Sequence, residues 1–151
     1  PERRAELTTE GGLDCIKHKK RLAEVVKRMH KKGILVSTFI APEKEQIITS
    51  LETGCDAIEL HTGMYANAKS QKEIEKRLNE LETAKDLAIE KGLIVHAGHG
   101  LTYRNIGPVA RIKGVCEFNI GHSIVARAIF VGIKQATAEM IKLIDKYSKE
   151  S

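Results

Sequence analysis

Three short stretches carry the side chains best able to move protons. Glu59-Leu60-His61-Thr62-Gly63, His96-Ala97-Gly98-His99-Gly100 and Asn119-Ile120-Gly121-His122-Ser123 each combine histidine with glycine at the end of an apolar run. Histidine takes or gives a proton near neutral pH, and a partly buried carboxylate steadies a developing cation. Brought to one place, four His and one Glu would make a general acid–base site.

Each stretch also has a plainer reading. Glu59 lies between Ile58 and Leu60. A carboxylate inside a strand is costly unless paired, so it points into a site or into a salt bridge. His99 sits between Gly98 and Gly100, which let the backbone pass close to a ligand. His61 fits equally well as a donor to a loop carbonyl. His96, alternating with Val95 and Ala97, fits a core histidine satisfied by backbone. Gly121-His122-Ser123 precedes an apolar helix and offers free N–H groups at the positive end of a helix dipole, although an ordinary Ser N-cap leaves the same pattern. Thr8-Thr9-Glu10-Gly11-Gly12 is a second polar, glycine-rich turn, suited to phosphate, to hydroxyls or to a helix cap. Glu59, His61, His96 and His99 are also a ligand set for a divalent metal, as in barrel hydrolases. The lack of an Asp after the last strand weakens that alternative. Cys15, Cys55 and Cys116 are odd in number, far apart and without CxxC spacing. They argue against a disulfide framework or zinc knuckle and for a reducing cytoplasm. None has a His or Asp beside it, so nucleophilic cysteine chemistry has no support.

The elements that must position these residues follow from apolar spacing. Leu13, Ile16, Leu22, Val25, Val26 and Met29 recur at helical intervals before Gly33. Ile34–Ile40 reads as a buried strand. Pro42 opens a helix with Ile47, Ile48 and Leu51 inward and Gly54 at its end. Ala57–Leu60 is a second strand. Ser70 and Glu73 form a capping box for a long helix carrying Ile74, Leu78, Leu81 and Ala88, ended by Gly92. Leu93–Val95 is a third strand, Asn105–Ile112 a short helix, Val115–Ile120 a fourth strand. Helices over Ser123–Val131 and about Gly132–Tyr147 complete the order: one helix, then four strand–helix units. Such alternation means parallel strands joined by crossover helices. In parallel α/β folds the carboxyl ends of the strands share one rim, so the three polar stretches should converge. Pattern alone leaves an open doubly wound sheet available beside a barrel arrangement.

Composition sets the outer limits. The chain has 151 residues, 42% of them hydrophobic, which excludes a disordered chain. No apolar run approaches the ~18 residues of a membrane span, and Pro1–Glu10 lacks the apolar core of a signal peptide. The start at Pro1 hints at a processed or truncated chain. The net charge of +5 concentrates in Lys17–Lys20–Arg21 and Lys27–Lys32. A solvated helix face is the favoured reading there, and a basic nucleic-acid-binding module acting through Lys17–Lys32 is the non-enzymatic alternative.

Leu7–Asp14 (LTTEGGLD), Glu59–Gly63 with Tyr65-Ala66, Ala97–Tyr103 (AGHGLTY) and Asn119–Ser123 (NIGHS) together closely resemble the pyridoxine 5′-phosphate synthase family. The resemblance covers essentially the whole chain with the spacing between motifs preserved. It implies a (β/α)₈ TIM-type barrel with extra helices, assembled as a cytoplasmic homo-octamer without metal or organic cofactor, membrane or nucleic acid. It implies condensation of 1-deoxy-D-xylulose 5-phosphate with 3-amino-2-oxopropyl phosphate to pyridoxine 5′-phosphate, inorganic phosphate and water. By motif, His99 is the expected proton donor and Glu59 the transition-state stabiliser. Thr8 is the expected contact to the deoxyxylulose phosphate, and Gly100, Gly121 and His122 to the amino-ketone phosphate. The competing enzyme class remains a metal-dependent barrel lyase or hydrolase using His61, His96 and His99.

Two departures stand out. His96 occupies a position where the family more often has Asn. The family's first-half segment, with a further catalytic His and Glu and a phosphate-binding Arg, has no counterpart here. The expectation is therefore one domain over residues 1–151 that forms the carboxyl-terminal half of a barrel, with its last four strand–helix units. As the whole polypeptide, it would expose a strand edge and be inactive alone.

Overall fold

A computed structural model describes residues 12–150. The first described element is α1 (Cys15–His30), capped by Asp14, whose Oδ1 accepts the Lys17 amide at 3.0 Å. Lys27, Arg28 and His30 occupy its last turn, where the helix dipole favours cations. Strand β1 (Ser37–Ile40) is shorter than the apolar run that announces it. The amides of Asp56 and Ala57 both donate to Val36 O, so the partner strand begins opposite Ser37. Ile34 and Leu35 are left outside the ladder, 51% and 72% exposed.

The chain continues through α2 (Lys44–Glu52), β2 (Ala57–His61), the single turn α3 (Gly63–Ala66) and α4 (Gln71–Glu90). Then come β3 (Ile94–Gly98), α5 (Ile106–Ala110), β4 (Val115–Asn119), α6 (His122–Val131) and α7 (Ile133–Lys149). Ser70 caps α4 as the sequence predicts, accepting the Glu73 amide at 3.2 Å. Glu73 reaches back one residue further than a capping box requires, to the Lys69 amide. Strand β3 runs three residues beyond the predicted Val95, because His96, Ala97 and Gly98 continue the ladder with Glu59, Leu60 and His61. The turn α3 escapes periodicity because four residues are too few to show a period.

All four strands are parallel, and their order in the sheet, β1-β2-β3-β4, is their order in the chain. A doubly wound sheet reverses strand order at a switch point, whereas a barrel adds each strand beside the last. Sequential order therefore decides between the two arrangements left open by the pattern. The fold is α/β of the TIM-barrel type, with four consecutive strand–helix units.

Strand alternation separates structure from chemistry. Ile40, Ile58, Leu60, Val95 and Ala97 are at most 1% exposed and cluster with Ile47 of α2, Leu81, Ala84 and Ala88 of α4 and Val109 of α5. Burial of each large aliphatic side chain contributes about 1.5–3 kcal/mol before entropy is counted. Successive strand residues point to opposite faces. Phe39, Glu59, His61, His96, Gly98, Glu117 and Asn119 therefore share the other face, which is the interior of a barrel. The parallel register sets Phe39, Glu59, His96 and Glu117 in one row across the sheet and His61, Gly98 and Asn119 in the next. A register shift between Val95 and His96 skips Cys116 on β4 and keeps Glu117 and Asn119 on that inner face.

Candidate active site

At the carboxyl end of the sheet lies a cavity of about 830 Å³. Its lining includes Phe39 from β1, Glu59 from β2, His99 and Gly100 after β3, Asn119 from β4, and Gly121, His122 and Ser123 at the start of α6. The convergence predicted from strand polarity is thus met by residues up to 84 positions apart, from Phe39 to Ser123.

Glu59 is half-buried, and its carboxylate has a specific neighbour: Asn119 Nδ2 donates to Oε2 at 3.0 Å. Burial pushes the Glu59 carboxyl above the ordinary glutamate value. The Asn119 hydrogen bond and the nearby His96 and His99 pull in the opposite direction, while Glu117 adds to the rise. Gly98 makes this arrangement sterically feasible. It lies between β2 and β4 on the same face, and a methyl group there would stand 2.1 Å from Glu59 Oε1.

His99 leaves β3 with φ of +78°, and Gly100 follows with φ of +74°. Two successive left-handed residues turn the chain sharply off the strand end, and for a residue with a Cβ that conformation costs roughly 1–2 kcal/mol. The His99 ring stacks on the His61 ring, with centroids 4.8 Å apart and planes 16° apart. Phe39 backs His61 at 5.1 Å. His96 stays one row below, within 4.0 Å of Glu117. Among the described residues, no group of three or more His, Cys, Asp or Glu side chains is arranged to hold a metal ion. The divalent-metal alternative built on His61, His96 and His99 thus lacks the geometry it needs. Parallel stacking of two imidazoles is not a convergence of their nitrogens on one point.

The start of α6 also differs from its plainer reading. Gly121 occupies the N-cap position and no side chain caps the helix. Ser123 is the second helical residue, not a cap, and its hydroxyl donates to Leu101 O at 2.9 Å, tying α6 to the loop after β3. The first amides of α6 thus carry no side-chain cap and lie beside the exposed His122. Thr8 lies outside the described residues. At Gly12, the first described residue, a Cβ would meet Ala41 N at 2.6 Å, and the Leu13 amide donates to Phe39 O. That segment enters at the carboxyl end of β1.

Sequence reasoning overlooked four contributors. Thr62, Gly63 and Asn119 carry no individual role in the sequence reading, and Gly98 is noted there only for backbone freedom. A signal was available for two of them. Asn119 lies two residues beyond Glu117 and Gly98 two residues beyond His96, so strand alternation puts each on the face of a polar neighbour.

Comparison with known proteins identifies the family and the fold. The family described as Pyridoxal phosphate biosynthesis protein PdxJ matches residues 1–146. The chain is 50% identical over 150 residues to the pyridoxine 5′-phosphate synthase of Sulfurihydrogenibium sp. (strain YO3AOP1), covering 99% of the chain and 61% of that protein. It is 52% identical over 149 residues to the synthase of Aquifex aeolicus, covering 95% and 62% respectively. The chain thus spans about three fifths of the length of these curated relatives. Among solved structures, the YdjI aldolase from Escherichia coli K12 superposes with a TM-score of 0.55 at 15% identity, over 91% of this chain and 54% of the aldolase. At that identity the likeness concerns the fold.

Proposed function

The chain belongs to the PdxJ family, and on that premise we propose that its cavity is the phosphate-binding, acid–base half of a pyridoxine 5′-phosphate synthase site. The observation that carries this reading is that His99, Glu59, Gly100, Gly121 and His122 all line one cavity. The substrates proposed are 1-deoxy-D-xylulose 5-phosphate and 3-amino-2-oxopropyl phosphate. Joining an amine to a ketone, expelling phosphate and dehydrating the ring each move protons, and the imine of the first step is cationic when protonated. His99 Nδ1 or Nε2 supplies the proton, and the Glu59 carboxylate faces the developing cation. The α6 amides with His122, and the backbone at Gly100, hold the amino-ketone phosphate. Thr8 is proposed to contact the other phosphate.

We also propose that residues 1–151 act as one domain, the carboxyl-terminal half of a closed barrel. The outer edges of β1 and β4 have no strand partner among the described residues. Unpaired edges of this kind call for the remaining strands of a barrel. Assembly into a cytoplasmic homo-octamer is part of the same proposal. Its protein–protein contacts have a candidate surface on α6, where Val125, Ile129 and Phe130 are 59%, 79% and 82% exposed. Among the described residues no helix is long and apolar enough to cross a membrane. The test is direct: supply the two phosphorylated substrates and measure pyridoxine 5′-phosphate and released phosphate in equal amounts. Failure of the assembled protein to form the product, with both substrates bound, would overturn the assignment.

A further inference from the structure

Thr62 is polar and yet fully buried, at 0% exposure. Its amide donates to Gly98 O at 2.8 Å. Its hydroxyl proton is shared between Gly98 O at 2.7 Å and His99 O at 2.5 Å. One residue thus grips both carbonyls that flank the left-handed step at His99. The neighbours of Thr62 complete the grip. The His61 ring stacks on the His99 ring, backed by Phe39. Gly63 leaves the room this needs, since a Cβ there would stand 2.5 Å from His61 Cε1 and 3.0 Å from His99 Cδ2.

We propose that Thr62, with His61 stacked beside it, is the positioning residue that holds His99 in its left-handed conformation and so aims the imidazole into the cavity. A positive φ at a residue with a Cβ persists only where surrounding contacts over-determine it. Here those contacts come from three consecutive residues at the end of the adjacent strand. Without the hydroxyl, the His99 carbonyl loses the Thr62 donor and the Gly98 carbonyl keeps only the Thr62 amide, and His99 relaxes toward the right-handed region that other residues prefer. The ring then swings off its stacking partner. The inference rests on the reading of His99 as proton donor for its catalytic consequence, but its structural part stands apart from that reading.

The experiment pairs Thr62→Val, which keeps the shape and removes the hydroxyl, with Thr62→Ser, which keeps the hydroxyl. The readouts are the NMR shifts of the His99 ring protons, assigned by their loss in His99→Gln, and the separate kcat and KM of the synthase reaction. The expected result for Thr62→Val is loss of the His61 ring-current shift on His99 and a fall in kcat of ~10²-fold, the scale of a 1 Å misplacement, with KM little changed. Thr62→Ser restores both. Unchanged His99 resonances in Thr62→Val, or a Thr62→Ser protein as impaired as the valine variant, would overturn the proposal. If Thr62→Val does not fold, Gly63→Ala tests the same seat by pushing on both rings, and an unmoved His99 signal there counts against the proposal equally. Should the wild-type protein make no product, the resonances alone decide the positioning role, and only the functional reading fails.

Discussion

Glu59 on β2 and Asn119 on β4 are hydrogen-bonded at 3.0 Å across the full width of β3. The bond spans the strand because the residue between them, Gly98, has no side chain. The sheet therefore has a gap on its inner face, filled by a carboxylate and an amide.

Gly98→Ala closes that gap. Its methyl would fall 2.1 Å from Glu59 Oε1 and 3.0 Å from Asn119 O. Overpacking at a tight site costs about 1–3 kcal/mol, which for a domain of this size lowers Tm by roughly 2–4 °C per kcal/mol. Thermal unfolding should show that drop, and the proposed synthase reaction should lose far more than stability does, because Glu59 is displaced. A Gly98→Ala protein of wild-type Tm and activity would show that Glu59 does not occupy the gap.

Glu59→Gln tests the charge of the same group. Burial raises the folded pKa of Glu59 above the ordinary glutamate value of 4.5. A raised carboxyl destabilises the fold once it is ionised. The penalty is absent below pH 4.5, where both folded and unfolded states are protonated, and grows as pH rises toward the folded pKa. Glu59→Gln should therefore raise Tm at pH 7, with the gain vanishing near pH 4, while turnover falls by ~10²–10³-fold, as on removal of one preorganised electrostatic group. A pH-independent change in Tm would show that burial of the charge is not the cause.

Asp56 is shifted in the opposite direction. Val36 N donates to its Oδ2 at 2.7 Å, and His30 Nε2 approaches the same oxygen at 2.8 Å. The backbone hydrogen bond first, and His30 second, hold its carboxyl below the usual 3.8. A depressed carboxyl contributes stability that is present above its unfolded pKa and lost as pH falls through the folded one. Asp56→Asn should therefore melt below wild type at pH 7, and the two melting curves should draw together at pH 3. Parallel curves across that range would remove Asp56 from the acid transition.

The sequence made the elements and the rim legible for a physical reason. Ile74, Leu78, Leu81 and Ala88 repeat at helical spacing, and Ile58/Leu60 and Val95/Ala97 alternate with polar residues, so both helix faces and strand parity are written in local pattern. Strand polarity then places Glu59, His99 and Gly121 together with no further information. What stayed hidden depends on tertiary registration. The late start of β1 at Ser37 depends on where β2 begins. The role of Thr62 depends on carbonyls 36 and 37 residues away. Ser123 read as a helix cap because its bond to Leu101 crosses from one unit to the next.

His99 and His96 offer the sharpest functional contrast, because both come from the end of β3 and only one lines the cavity. His99 reaches the cavity wall beside Glu59, while His96 lies one row below, 4.0 Å from a Glu117 carboxylate whose side chain is 59% exposed. An ion pair that is long and half in water contributes about 0–1 kcal/mol. His96→Asn should therefore leave Tm within a few degrees and turnover within a few-fold of wild type. His99→Gln keeps a polar side chain of similar reach but cannot deliver a proton as an imidazolium does, so kcat should fall by ~10²–10⁴-fold. The assay is pyridoxine 5′-phosphate formation in the assembled enzyme, with KM for both substrates recorded. Equal losses in the two variants would mean that the inner row of the sheet, and not the rim, carries the proton transfer, and would reverse the assignment of His99.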